Sequence, residues 1–424
     1  MKKFTEGLLN FLNEAKTSYH AVDAIKRELK SRGFTELYEN EDWSVENGKG
    51  YFTVRNGSSI IAFVDNGKPF MISAAHSDSP VFRVKATEIG SAYAKLTTER
   101  YGGMINYTWL DRPLTVAGRV VVKKNGALVP TLADIGDAAV VIPSLAIHLD
   151  RNVNDGKKFN PAKDLLPLTS LSGKCVIDTV AERLGVKRDD IVSHELFLVP
   201  ADNARTVGLS DELVLAPRID DLASVYASMV GFLDNENGGA SSPVLAVFDN
   251  EEVGSSTKQG AASPMLHDVL LRICGSEVEY IKRMPESFMA SVDNAHAIHP
   301  NYPEMSDKGN APVLGNGVVI KNNANQRYAT DAVSAAIFGE ICLMAGVNTQ
   351  SYFNRADLPG GSTLGSISNT KVALSTVDIG VPQLAMHSAV ETAAVSDVFD
   401  MAKALLKLFS VGLKRTEDGY VFVK

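Results

Sequence analysis

Residues 243–255 read PVLAVFDNEEVGS, an apolar run that leads directly into a group of acidic side chains. The five apolar residues 244–248 are shorter than a typical helix and include β-branched and aromatic side chains, so they predict a strand. Because the run has no polar alternation, we expect this strand to be buried on both faces in the centre of a sheet. Asp249, Glu251 and Glu252 follow at its carboxyl end, where ligands of α/β sheets bind.

The elements around this strand alternate between helix and strand. Three pairs of a helix-like and a strand-like run follow one another: 222–233 and 243–248, 265–274 and 288–292, 331–345 and 349–353. Two helices precede the first strand, and an amphipathic helix follows the last one. This order predicts an α/β fold with a mixed, mostly parallel sheet flanked by helices.

The segment from residue 86 to residue 206 has a different character. It contains β-like runs such as 116–122, frequent Pro and Gly, and one clear helix signal around 180–184. We therefore interpret residues 86–206 as a β-rich domain inserted into one α/β domain, which consists of residues 1–85 and 207–424.

The composition excludes several classes of protein. The 424 residues include 42 Lys and Arg against 50 Asp and Glu, and the net charge of −8 argues against a non-specific nucleic-acid binder. The three cysteines form no CxxC pair, which disfavours a disulfide framework or a thiolate zinc site and favours a reducing compartment. No signal peptide is visible and no apolar run approaches the roughly 18 residues of a membrane span, so we expect a cytoplasmic protein without membrane partners.

Histidines and acidic residues also follow other predicted strands or precede a helix. They are His76 and Asp78 after the run 70–75, Asp293 after 288–292, His387 beyond Pro382, and Asp220 before the helix at 222–233. Taken alone, each has an ordinary explanation, since an aspartate before a helix is most often an N-cap. Carboxylates that converge on one edge of a sheet repel one another unless a cation lies among them. As a set, these residues therefore predict a divalent metal site.

The residue types indicate the chemistry of such a site. Imidazole and carboxylate ligands without thiolate suit a catalytic zinc, cobalt or manganese ion that keeps a position open for water. Two ions need a bridging carboxylate, and a carboxylate that binds no metal is free to act as a general base. Neighbouring Glu251 and Glu252 point in different directions from an extended chain, so one can bind metal while the other addresses water. Asp78 is placed to orient the ring of His76.

Seven motifs carry a resemblance to a known family. They read AAHSDSP (74–80), RIDDL (218–222), FDNEEVGS (248–255), SVDNAHAIHPNY (291–302), NANQRYAT (323–330), GGSTLG (360–365) and VPQLAMHSAVE (381–391). Together they resemble the aspartyl aminopeptidase family of dinuclear-metal, dodecameric aminopeptidases, and SLAIHLDRNVN (144–154) and YGG…TWLDRP (101–113) are similar to its inserted domain. The resemblance implies a co-catalytic zinc aminopeptidase-like fold, with residues 1–85 and 207–424 as the catalytic metallopeptidase domain and residues 86–206 as a dimerisation or oligomerisation domain.

The same resemblance implies a role for each candidate residue. The ligands of two divalent ions per subunit, zinc first and cobalt or manganese as alternatives, would be His76, Asp220, Glu252, Asp293 and His387. Asp220 would bridge the ions, Glu251 would be the general base, and Asp78 would orient His76. Three residues match positions at the substrate pocket: His148, reaching in from a neighbouring subunit, His296 and Lys321.

The implied activity is the removal of one N-terminal residue from a peptide, with an acidic residue preferred or with a broader specificity. The implied assembly is a homododecamer. Lys321 offers a charge partner for an acidic side chain. Two positions depart from the family: Asp221, where Asn is common, and Ala356, which replaces a polar residue near the expected pocket. The alternatives are a co-catalytic metal carboxypeptidase or amide deacylase, and a non-catalytic oligomeric scaffold.

Overall fold

The computed structural model describes residues 1–136, 139–171, 173–235 and 239–423. The strands within these residues are β1 (Thr35–Glu36), β2 (Gly50–Arg55), β3 (Ser59–Val64), β4 (Phe70–His76), β5 (Val81–Ile89), β6 (Ala94–Tyr101), β7 (Leu114–Lys124), β8 (Ala127–Asp134), β9 (Leu168–Ser170), β10 (Ile191–Pro200), β11 (Arg205–Val207), β12 (Leu213–Ala216), β13 (Ser242–Phe248), β14 (Phe288–Val292), β15 (Ala295–His296), β16 (Val318–Asn322), β17 (Thr349–Phe353), β18 (Ser375–Gly380), β19 (Pro382–Leu384), β20 (Glu391–Ala394), β21 (Gly412–Arg415) and β22 (Tyr420–Val423). The α-helices are α1 (Lys2–Glu14), α2 (Ser18–Ser31), α3 (Val176–Leu184), α4 (Ile219–Leu233), α5 (Met265–Cys274), α6 (Glu277–Arg283), α7 (Ala332–Ala345), α8 (Leu364–Ser368) and α9 (Val395–Ser410).

The main sheet has nine strands in the order β1-β2-β3-β13-β4-β14-β18-β16-β17. Its centre is parallel, because β4 lies between β13 and β14 and β14 pairs with β18, all in the same direction. β3 and β16 run antiparallel to their neighbours β13 and β18. The predicted α/β fold with a mixed, mostly parallel sheet is confirmed.

β13 is the strand predicted for residues 243–248, and all of its side chains are buried. Leu245 and Val247 belong to the core under helices α1, α2, α4, α7 and α9. Val244, Ala246 and Phe248 point the other way, into the core under α5, α6 and α8. Helices thus cover both faces of the sheet. Packing on both sides fixes the end of β13, from which the chain continues into residues 249–252.

A second sheet is antiparallel and has six strands in the order β8-β7-β10-β5-β6-β9. It has a hydrophobic core of its own, which includes Phe82, Trp109 and Leu196 and is completed by α3. β5 leads from the main sheet into this one because it begins at Val81, soon after β4 ends at His76. The inserted domain at 86–206 stays our proposal for this part of the chain.

A third sheet joins five short strands in the order β11-β12-β20-β19-β15. β21 and β22 form a separate hairpin. The five-stranded sheet matters for function because β12, β19 and β20 flank the segments that carry Asp220 and His387. No helix in the described part of the chain is long and apolar enough to cross a membrane.

Candidate metal centre

Three neighbouring strands bring their carboxyl ends together. His76 is the last residue of β4 and lies opposite Phe248, the last residue of β13. Asp293 follows β14, which pairs with the other side of β4. The two glutamates lie at the same edge, but in a short 3-10 turn (Glu251–Val253) after β13 and not on the extended chain that the sequence predicted.

Asp220 and His387 approach the same edge from other elements. Asp220 lies at the start of α4, where its φ of −79° and ψ of 111° are not helical, and the peptide bond between Asp220 and Asp221 is cis. His387 lies between β19 and β20 with a φ of 66°. Asp220 is therefore not a simple helix cap, because the local chain turns its side chain towards the strand ends.

The candidate ligand atoms form three groups, of which two share Asp220 and the third contains His76, Glu251 and Glu252. His76 Nε2 is 3.5 Å from Asp220 Oδ1 and 4.0 Å from Asp293 Oδ1. His387 Nε2 is 3.4 Å from Asp220 Oδ2 and 3.3 Å from Glu252 Oε1. In each group one ligand atom per residue lies within 4.8 Å of the others, and Asp221 falls within the first group as well. We call the group of His76, Asp220 and Asp293 the first half-site and the group of Asp220, Glu252 and His387 the second half-site.

The donor set fits divalent cations. The side chains of His76, Asp220 and Glu252 are 1%, 4% and 4% exposed. Asp220 Oδ1 and Glu252 Oε1 are buried without a hydrogen-bond partner, although buried polar atoms are normally paired. Buried carboxylate oxygens without a partner, beside imidazole nitrogens, are an arrangement that a bound cation would satisfy, and such nitrogen and oxygen donors suit zinc.

Burial and neighbouring charges shift the pKa values of these acidic and histidine side chains. Burial, with repulsion from Asp293, Glu252 and Asp78, raises the pKa of Glu251 to about 9. Burial also raises the pKa of Glu252, to about 7. Burial alone would lower the pKa of His387, but Asp220 and Glu252 raise it to about 11. Without a metal ion, protons balance the charge of the cluster, whereas bound cations would favour the ionised carboxylates and neutral imidazoles.

Asp78 holds the turn that carries both glutamates. Its Oδ1 accepts a hydrogen bond from the Glu251 backbone N–H at 3.1 Å, and its Oδ2 accepts one from the Glu252 backbone N–H at 3.2 Å. His76 Nδ1 lies 3.1 Å from the backbone oxygen of Asp78 and 3.4 Å from its Oδ1. The imidazole thus has its closest acceptor in the main chain of Asp78, and the side chain of Asp78 is placed to position Glu251 and Glu252.

The residues expected at the substrate pocket lie in three different surroundings. His148 is exposed on the segment between Ile142 and β9, which has no helix or regular strand. His296 ends β15, is exposed, and its ring centroid lies 6.3 Å from that of Tyr352. Lys321 is buried, and its Nζ donates to the backbone oxygens of Asp293 at 2.7 Å and Asn294 at 3.2 Å. A role of these residues in substrate binding stays a prediction.

Two acidic residues behind the centre received no role from the sequence. Asp221 is fully buried, and its Oδ2 accepts a hydrogen bond from the His76 backbone N–H at 3.1 Å. Glu391 is 2% exposed and contacts the main chain of Asp220 and His387. Glu391 stands in the motif VPQLAMHSAVE, so proximity to His387 was visible, but its contact with Asp220 depends on the third sheet.

Comparison with known proteins agrees with this geometry. A model of the family described as aminopeptidase I zinc metalloprotease (M18) matches residues 11–409. A probable M18 family aminopeptidase 2 from Clostridium novyi is 42% identical, covering 96% of this chain and 99% of the relative. A probable aspartyl aminopeptidase from Ricinus communis is 36% identical, covering 95% of each chain. The solved structure of the Saccharomyces cerevisiae mApe1 dodecamer is similar with a TM-score of 0.84 and 25% identity, covering 96% of each chain. The chain therefore belongs to the M18 family of zinc-dependent metallo-aminopeptidases, which are hydrolases.

Proposed function

We propose that the protein removes single N-terminal residues from peptides at a centre that holds two divalent ions. The observation that supports this is the pair of half-sites sharing Asp220, whose two oxygens face His76 and His387 separately. The first half-site would hold one ion and the second half-site the other, with zinc as the expected metal and cobalt or manganese as alternatives. Bound ions would supply Lewis-acid chemistry that polarises the peptide carbonyl and makes water a stronger nucleophile.

Glu251 is the proposed general base. It belongs to neither half-site, yet its backbone is fixed by Asp78 and its carboxylate lies within reach of His76 and Glu252. Glu251 would take a proton from the attacking water and donate it to the departing amine, so that the protons balance over the cycle. The test is Glu251→Gln, for which we expect loss of turnover by at least about a hundredfold with metal content unchanged. Turnover within about tenfold of wild type with both ions bound would contradict the assignment.

An acidic substrate preference follows from the family resemblance and remains part of the proposal. A probable aspartyl aminopeptidase is among the relatives, and Lys321 brings a cation next to Asp293. The experiment is a comparison of kcat/KM on peptides with N-terminal Asp, Glu and Leu. A kcat/KM higher for Leu than for Asp would remove the acidic preference and leave the aminopeptidase activity intact.

Self-association into a dodecamer, with peptides as substrates, completes the proposal. The yeast relative is described as a dodecamer, and the exposed position of His148 is compatible with contact to another subunit. Mixed assemblies of His148→Ala and Glu251→Gln chains test this directly. If His148 acts in a neighbouring active site, mixing two inactive variants restores part of the activity, because some sites receive both residues. No recovery in assemblies shown to be mixed would exclude the role of His148.

An N-acetylated peptide, assayed beside the peptides with N-terminal Asp, Glu and Leu, separates the alternatives that the sequence left open. Membership of the M18 metallo-aminopeptidases argues against a non-catalytic scaffold. A free α-amine is required for aminopeptidase action, so an N-acetylated peptide should not be cleaved. Cleavage of the blocked peptide, but not of the free one, would favour the deacylase or carboxypeptidase alternative.

A further inference from the structure

Glu391 is a buried carboxylate that touches the metal centre only through the main chain. It is the first residue of β20 and is 2% exposed. Its Oε1 accepts a hydrogen bond from the His387 backbone N–H at 2.7 Å, and its Oε2 accepts one from the Asp220 backbone N–H at 2.9 Å. One side chain thus joins the segment that carries His387 to the segment that carries Asp220, the aspartate shared by both half-sites.

The contact extends to the first half-site through two amides. Gln383 Nε2 lies 3.5 Å from Glu391 Oε1, and Gln383 Oε1 accepts a hydrogen bond from Asn294 Nδ2 at 2.8 Å. The same Asn294 Nδ2 donates to the backbone oxygen of Ile219 at 2.8 Å, directly before Asp220. Since Asn294 follows Asp293, this buried network connects three ligand-bearing segments behind the metal centre.

The chemistry of the contacts requires a carboxylate. Every group that faces Glu391 in this network is an N–H donor, and an ionised carboxylate accepts on both oxygens while an amide accepts on only one. The segment that carries His387 needs external support because its φ of 66° is a left-handed conformation that costs energy for a residue with a side chain.

We propose that Glu391 is a positioning residue of the metal centre, which fixes Asp220 and His387 relative to each other and thereby sets the metal affinity of the second half-site. This inference rests on the two-ion centre of the proposed function. Substitution of a residue that orients metal ligands from behind the site commonly lowers the metal affinity by about 10–100-fold. Glu391 would act on the ligands through their backbone rather than through the imidazole ring.

The test compares two substitutions that make the same chemical change. Glu391→Gln replaces one acceptor by a donor without changing size. Asp397→Asn is the matched control, because Asp397 is also buried and its carboxylate accepts hydrogen bonds from the Gly315 and Gly317 backbones at 2.7 and 2.9 Å. Metal-free protein is titrated with Zn²⁺ or Co²⁺ in competition with a chromophoric chelator, and the visible spectrum of bound Co²⁺ is recorded.

We expect Glu391→Gln to lower the affinity for one of the two ions by about 10–100-fold and to alter the absorption of the Co²⁺ bound at that position. Asp397→Asn should bind both ions as wild type does, even if its unfolding temperature falls. Equal affinity in Glu391→Gln and wild type would overturn the inference, and so would an equal loss in both variants, because that would reflect general destabilisation.

A second variant, Gln383→Met, and the metal content of wild type provide two further tests. If Glu391→Gln does not fold, Gln383→Met breaks the link to Asn294 while leaving Glu391 in place, and we expect a smaller loss of affinity, up to about tenfold. No loss in Gln383→Met would then overturn the inference. Wild-type protein that binds no ion would instead defeat the proposed two-ion centre, whereas wild-type binding of two ions with an unaffected variant defeats the role of Glu391 alone.

Discussion

Asp220 is the residue that both half-sites share, and its surroundings explain why it can serve both. Each of its side-chain oxygens faces a different histidine, His76 at 3.5 Å and His387 at 3.4 Å. The side chain cannot turn towards solvent because Asp220 is only 3% exposed. Just before it, the buried Arg218 donates to the backbone oxygens of Ala15 and Leu12, which ties the start of α4 to the end of α1.

The two half-sites should respond differently to loss of a ligand. Asp220→Asn removes a negative charge from both half-sites, so we expect it to reduce the bound metal from two ions per chain to none or nearly none. Glu252→Gln affects the second half-site only, and one ion should remain. Elemental analysis after gel filtration measures both. Retention of two ions in Asp220→Asn would contradict the bridging role.

Tyr101 links the antiparallel sheet to Asp78 and to the turn that carries Glu251 and Glu252. It ends β6, its hydroxyl donates to Asp78 Oδ2 at 2.6 Å, and Asn250 Nδ2 donates to the same hydroxyl at 2.8 Å. Because Asp78 holds the backbones of Glu251, the proposed base, and Glu252, Tyr101→Phe should lower kcat by about 10–100-fold, which corresponds to the loss of one hydrogen bond to a charged group. Tyr107→Phe, at a tyrosine that is 65% exposed, is the control. Unchanged kcat in Tyr101→Phe would show that the turn does not depend on this contact.

Residues of the centre were predictable where strand ends determine their position. His76 ends one buried strand and Asp293 follows another, and parallel strands must bring their carboxyl ends to one edge. The role of Asp78 could be predicted only in part, because its closest contact with His76 is made by its backbone oxygen. The engagement of Lys321 with the main chain of Asp293 depends on how β16 packs beside β18, which no local pattern shows.

Among the elements, long or strongly apolar ones were predictable and short ones were not. Strand β14 and helix α5 have the predicted bounds, since their side chains are apolar enough to define them. Strand β17 also has the predicted bounds, although its sequence TQSYF is mostly polar and only Tyr352 is buried. The third sheet is built from strands of two to four residues, too short for a periodic pattern. Its strands are held by pairing partners distant in sequence, such as β12 with β20.

Helix α4 packs against α9 with a closeness that sequence alone does not show. A Cβ added at Gly231 would lie 2.8 Å from the Leu406 backbone nitrogen and 3.0 Å from the Ala402 backbone oxygen. Gly231→Ala should therefore lower the free energy of unfolding by about 1–3 kcal/mol, although alanine normally stabilises a helix. Gly339→Ala in α7 is the matched control, since nothing lies within 4 Å of its added Cβ, and it should raise stability by roughly 0.5–1 kcal/mol. Denaturant unfolding measures both, and equal signs would refute this account of the packing.

His20 in the first turn of α2 gives the fold a defined acid sensitivity. Burial, helped by Lys16 and Arg218, lowers its pKa from 6.5 to about 4, and Thr17 Oγ1 lies 2.8 Å from its Nδ1. As the pH falls, His20 therefore takes up a proton in the unfolded chain before it does so in the folded one. The contribution of neutral His20 to the free energy of unfolding is complete above about pH 6.5 and is lost progressively towards about pH 4. At about pH 5 the loss should be at most about 2 kcal/mol, and His20→Gln should remove it.

Metal-free protein is the correct material for this measurement, because acid also releases bound metal. Denaturant midpoints of wild type and His20→Gln at about pH 8 and about pH 5 give the difference in pH dependence. The same loss of stability in both proteins would show that other groups account for the acid sensitivity.

For the whole molecule, the metal centre is a junction between separately built parts. Its proposed ligands come from β4, the turns after β13 and β14, the start of α4, and the segment between β19 and β20. Neither sheet alone carries the complete set, because the nine-stranded sheet supplies His76 and Asp293 while strands of the five-stranded sheet flank His387. Bound ions should therefore stabilise the contact between these parts as well as the site itself.

This coupling predicts that metal removal lowers the unfolding temperature of the entire chain. An ion at a free concentration of about 100 times its Kd stabilises the folded state by about 2.7 kcal/mol, and removal also leaves buried carboxylates that repel one another. Chelator-treated wild type should unfold several degrees lower in scanning calorimetry, and Zn²⁺ should restore the loss. Mg²⁺ at equal concentration should not, since it prefers oxygen ligands and retains its water. The unfolding temperature of Asp220→Asn should change little when Zn²⁺ is added. If the chelator does not change the unfolding temperature of wild type, the ions do not hold these parts together.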